Sequence, residues 1–76
     1  MKVYEPPPGE YIDETADKMV TLANETKDTV IAEFNEINLT ANPNSSADAI
    51  VAYYREERVR RYKAYQNSPE GKKTER

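Results

Sequence analysis

Cysteine is absent from this chain of 76 residues, which removes disulfide staples and thiolate metal sites together. Histidine is absent too, and with it the commonest general base near neutral pH and the commonest metal ligand. Glycine occurs only twice, too rarely for a phosphate-cradling loop. No window holds the roughly 20 apolar residues needed to span a bilayer. The N-terminal stretch MKVYEPPPGE also lacks the apolar core of a signal peptide. These gaps exclude most catalytic chemistry, so the expectation is a non-enzymatic, cytosolic protein with no cofactor, no metal and no membrane contact. Three N-x-S/T matches, at Asn24, Asn38 and Asn44, are read as chance in a chain rich in Asn, Ser and Thr.

The length allows one domain, with residues 12–66 as its ordered part, residues 1–11 as a flexible arm and residues 67–76 as a disordered tail. Burial in so small a core supplies only about 3 to 5 kcal/mol, and without disulfides or metals the remaining staple is a homo-oligomer. The net charge of −3 is unevenly spread, because residues 1–40 carry −6 and residues 41–76 carry +3. Pairing between the two halves, within or between subunits, is the simplest use of that asymmetry.

Thr29 to Ala41, TVIAEFNEINLTA, is the segment with the most to say. A two-residue turn at Asn35-Glu36 pairs Phe34 with Ile37, Ala32 with Leu39 and Val30 with Ala41, all on one face of a hairpin. The opposite face carries Glu33 beside Asn38 and Ile31 beside Thr40. A type I′ turn wants positive φ at both central positions, which Asn tolerates and Glu resists. The apolar face needs a cover, and the flanking segments provide it. Ile12 to Asn24 reads as a helix with Asp13, Glu14 and Asp17 near its start and Ile12, Thr15, Ala16, Met19, Leu22 and Ala23 as its core stripe. A strand through Met19 to Ala23 is the competing assignment, since Val20 and Thr21 are β-branched. Asn42 to Ser46 ends the second strand, and Ser45 with Asp48 nearly matches a capping box for a helix over Ala47 to Gln66. The fold class is therefore α+β: a small α-β-β-α domain in which a two-stranded antiparallel hairpin packs on two helices. Pro6-Pro7-Pro8-Gly9 favours an extended arm and opposes regular structure, with Tyr4 and Tyr11 flanking it.

On the second helix, Ala47, Ile50, Val51 and Tyr54 continue as Arg58, Arg61 or Tyr62, and Tyr65 along one stripe. Its charged second half, EERVRRYKAYQN, projects beyond the hairpin in this reading. Tyrosine and arginine dominate binding hot spots, so Tyr54, Arg58, Arg61, Tyr62 and Tyr65 are the candidate partner-binding residues. Basic residues interleaved with tyrosines also suit phosphates and bases, which keeps a nucleic-acid reading open. Within an oligomer, Arg58 and Arg61 with Tyr62 or Tyr65 would instead hold a nucleotide-like anion. Asp13, Glu14 and Asp17 lack a ligand loop and read as first-turn helix charges; Ser45 and Ser46 lack a base and read as caps.

Four segments carry a resemblance: YIDET at 11–15, LANET at 22–26, EFNEINL at 33–39 and YQNSPEGK at 65–72. Together they make the chain similar to small accessory proteins encoded by bacteriophages and prophages, a group without a motif of known chemistry. Those proteins tend to have Asn-Gly where this chain has Asn35-Glu36. The resemblance implies an accessory factor acting inside a bacterial cell, with no catalytic residues to carry over. The leading expectation is a protein that binds and inhibits a host protein, plausibly as a defence component.

Overall fold

The computed structural model describes residues 1–66, the side chains of Tyr65 and Gln66 excepted. The tail expected at 67–76 lies outside the described residues. In chain order the elements are β1 (Lys2–Val3), α1 (Ile12–Thr26), β2 (Val30–Phe34), β3 (Ile37–Ala41) and α2 (Ala47–Gln66). The hairpin has the register expected from its turn: Phe34 opposes Ile37, Ala32 opposes Leu39 and Val30 opposes Ala41. Asn35 and Glu36 both have positive φ, 48° and 68°, as a type I′ turn requires. Strand parity then sends Val30, Ala32, Ile37, Leu39 and Ala41 into the core, while Glu33, Asn38 and Thr40 stay exposed on the other side.

Both helices cover the same face of the sheet. Ala16, Met19 and Ala23 of α1 and Ile50 and Tyr54 of α2 complete the core. Thr15 is also buried, whereas Ile12 and Leu22 are half-buried at the margin. Met19 to Ala23 is helical; of the two β-branched residues, Val20 is half-buried against the core and Thr21 is exposed, and the apolar helical spacing decides the element. Alanine supplies four of the ten core residues, Ala16, Ala23, Ala32 and Ala41, so the helices can approach the sheet closely.

The N-terminal segment departs from the flexible arm expected of it. Lys2 and Val3 form β1, which lies parallel to β2 and makes a three-stranded sheet of order β1-β2-β3 in place of a two-stranded hairpin. Lys2 N–H donates to Thr29 C=O at 2.8 Å, and Tyr4 N–H donates to Ile31 C=O at 2.8 Å. Parallel neighbours need a crossover, and α1 is that crossover. The Met1 amine reaches the Asp28 carboxylate at 2.7 Å. The prolines themselves remain outside regular structure, and Gly9, at φ 85°, turns the chain towards α1.

Helix α2 differs from expectation at its cap. Ser46 Oγ accepts the Ala49 N–H at 3.4 Å, so Ser46 caps the helix and no box forms between Ser45 and Asp48. Ser45 Oγ instead accepts the Asn42 N–H at 2.9 Å, closing the loop after β3. Adjacent serines offer the same cap one residue apart, and the loop hydrogen bond selects between them. At the start of α1, the Glu14 carboxylate accepts the Tyr11 N–H at 3.3 Å.

Candidate functional site

Tyr54 is only 3% exposed and belongs to the core. Its ring meets Phe34 edge-on, with centroids 5.2 Å apart and planes at 86°. Its hydroxyl accepts a hydrogen bond from Asn35 Nδ2 at 2.8 Å, which pins the first turn residue to α2. Arg58, one helical turn on, places its guanidinium 5.8 Å from the centre of the Tyr54 ring. Arg61, a further turn on, donates to the Glu36 carbonyl at 2.9 Å. Asn35 and Glu36, the two strained turn residues, are thus each held by a side chain of α2. The structure gives three of the five candidate partner-binding residues this work: Tyr54, Arg58 and Arg61 clamp the hairpin tip. The two guanidinium groups address separate targets, one a ring and one a carbonyl, instead of converging on one anion.

Tyr62 lies on the distal half of α2. It is 63% exposed, beside Val59 at 53%. Arg55, Arg58 and Lys63 join Val59 and Tyr62 around a shallow groove of about 430 Å³ along the distal half of α2. Five basic and two acidic residues lie between Arg55 and Lys63, so two apolar side chains sit in a positively charged frame. One of those acids is already engaged, Glu57 pairing with Arg60 at 2.7 Å. The Tyr65 side chain falls outside the described residues. Val59 escaped the sequence reading because a single β-branched residue among charges breaks no period. Its position three residues before Tyr62 is the signal that could have found it.

A second polar centre was also invisible in the sequence. The Glu10 side chain is only 2% exposed and accepts from Tyr4 Oη at 2.8 Å, Thr15 Oγ1 at 2.8 Å and Lys18 Nζ at 3.0 Å. Burial pushes its carboxyl up, but the hydrogen bonds from Thr15, Tyr4 and Lys18 outweigh burial and hold it below its ordinary value. Burial and the Glu10 carboxylate raise the Tyr4 phenol, while the bond to Glu10 raises the Lys18 ammonium. The Met1 amine and then the Thr29 N–H lower the Asp28 carboxyl. These groups fasten the N-terminal segment to the domain. A general acid needs its carboxyl raised, and Glu10 and Asp28 both move the other way.

Among the described residues no cluster of acidic side chains is arranged to hold a metal, and no helix is long and apolar enough to cross a membrane. Comparison with known proteins finds no matching family model, no matching curated protein and no matching solved structure.

Proposed function

We propose that this chain is a non-enzymatic accessory protein, of the kind encoded by phages and prophages, that binds a host bacterial protein and inhibits it. The observation that carries the reading is the Val59–Tyr62 pair, exposed on the distal half of α2 and framed by Arg55 and Lys63. A flexible-stemmed cationic rim around an aromatic anchor suits an acidic protein surface with an apolar centre. Arg58 and Arg61, committed to Tyr54 and Glu36, supply no paired guanidinium fork for a nucleotide. The overall acidity, −3, also opposes a polyanion outside this one helix.

The test is retention of proteins from nuclease-treated bacterial lysate on the immobilised chain, compared with a Val59→Glu, Tyr62→Glu double variant. Both positions are more than half exposed, and the circular dichroism and urea midpoint of the variant check that its fold is kept. A host protein held near one-to-one by the native chain, lost by the variant and inhibited in its own assay, supports the reading. Retention that survives both substitutions refutes it. Binding that collapses steeply with added salt would move the assignment to nucleic acid, since counterion release dominates phosphate contacts.

A further inference from the structure

The sheet has two edge strands, β1 and β3, and the geometry of β3 carries an inference independent of the α2 face. Phe34 and Ile37 flank a two-residue turn, so they form a hydrogen-bonded pair, as do Ala32 with Leu39 and Val30 with Ala41. The N–H and C=O groups of Asn38 and Thr40 therefore point away from β2, off the edge. The Ile31 carbonyl, opposite Thr40, confirms this parity, for it turns from β3 to accept the Tyr4 N–H. Beyond these two residues the edge is already occupied. On one side Ser45 Oγ accepts the Asn42 N–H, and the Ser45 N–H donates to the Asn42 C=O at 2.9 Å. On the other, the Arg61 guanidinium donates to the Glu36 C=O. Among the described residues no hydrogen bond engages the outward groups of Asn38 and Thr40.

Beside this short edge lies a cleft of about 520 Å³, walled by the cap residue Ser46 and by Ala49, Ile50 and Tyr53 of α2. Tyr53 is 48% exposed there. None of the cleft's lining residues is charged, in a chain in which charged residues make up 33%.

We propose that a second copy of this chain pairs antiparallel with β3 about a two-fold axis at Leu39, joining the two sheets edge to edge. In that register the N–H and C=O of Asn38 meet the C=O and N–H of Thr40 in the second copy, and the converse holds across the axis. Every outward group is satisfied and none is left over. A longer foreign strand would run into the occupied Asn42 and Glu36, whereas a second copy brings an edge of matching length. A two-fold contact sets each surface against itself, so any charge in it would face its like; an uncharged cleft on an acidic chain meets that condition. Tyr62 lies nine residues after Tyr53, half a revolution around a helix of 3.6 residues per turn, so pairing leaves the Val59–Tyr62 face open. The dimer would therefore present that face twice.

The experiment is sedimentation equilibrium of the native chain over a wide concentration range, with amide exchange of Asn38 and Thr40 followed at each end of it. A mass rising to twice that of the chain is expected, with exchange at both amides slowing about tenfold or more as the dimer forms. Thr40→Pro removes an outward N–H that no internal bond uses, so it should return the mass to monomer while circular dichroism is kept. A chain that stays monomeric at millimolar concentration overturns the proposal. So does a dimer in which both amides exchange freely, a readout on the native chain that stands even if Thr40→Pro fails to fold. Neither result touches the host-protein reading, which is decided by Val59 and Tyr62.

Discussion

Replacing Tyr54 with Phe isolates one bond in the hairpin clamp. The ring remains, so the edge-on contact with Phe34 at 5.2 Å and the filling of the core are retained. What is lost is the acceptor for Asn35 Nδ2 at 2.8 Å. A neutral, partly buried hydrogen bond contributes about 1 kcal/mol net. In a domain of about 60 to 100 residues that corresponds to a fall in Tm of about 4 to 8 °C. Urea denaturation of Tyr54→Phe, of a turn variant and of the double variant gives the coupling between the two residues. Asn35→Gly is the proper turn partner, because φ 48° at this position would make Ala strained and confound the cycle. The backbone effect of the glycine then cancels, and the remaining coupling should be about 0.5 to 1.5 kcal/mol. A coupling below about 0.3 kcal/mol, within the scatter of independent sites, would refute the idea that α2 holds the turn through this bond.

Three further outcomes follow from the same structure. Glu10→Gln should flatten the acid limb of stability: the native carboxyl titrates below its ordinary 4.5, so its contribution is complete above that pH and is lost as pH falls through the lower folded value. Urea midpoints measured from neutral pH downward would show this, and parallel curves for the two proteins would contradict it. Met19→Ala removes one of the largest fully buried side chains and should cost about 3 kcal/mol, most of what so small a core supplies; a native-like urea midpoint would contradict the packing described. Glu36→Gly relieves a non-glycine residue at φ 68° and should raise stability by up to about 1 kcal/mol, read as a higher urea midpoint, whereas a loss would place the strain elsewhere.

The hairpin was legible because a two-residue turn fixes parity, and parity assigns every following side chain to a face. The helices were legible because Ala16, Met19, Ala23, Ile50 and Tyr54 repeat at helical spacing opposite that face. β1 was not, since two residues have no period and their partner lies on the far side of α1. Glu10 was hidden for a related reason: its donors come from Tyr4, Thr15 and Lys18, a set assembled only when the chain reverses at Gly9. Arg58 and Arg61 show a different limit. An arginine that stacks on a ring or caps a carbonyl leaves the same letters as one that meets a partner. Even so, their spacing from Tyr54 already placed them on the hairpin side of the helix. Val59 and Tyr62 emerged as a pair only once exposure could be measured.

The run Pro6-Pro7-Pro8 follows Lys2, Val3 and Tyr4 after a single residue, Glu5, and it bears on how this protein behaves when crowded. Proline has no amide hydrogen, so the strand that begins at Lys2 cannot be lengthened past Glu5, and no sheet can grow along it. The β1 edge of the sheet is thereby kept too short to template fibrils. A chain whose apolar core is thin and whose strands are rich in Val, Ile and Ala would otherwise be at risk of cross-β stacking. The prolines act as a stop for polymerisation as well as a bend in the backbone, and substituting them should first appear as turbidity on storage, before any loss of fold.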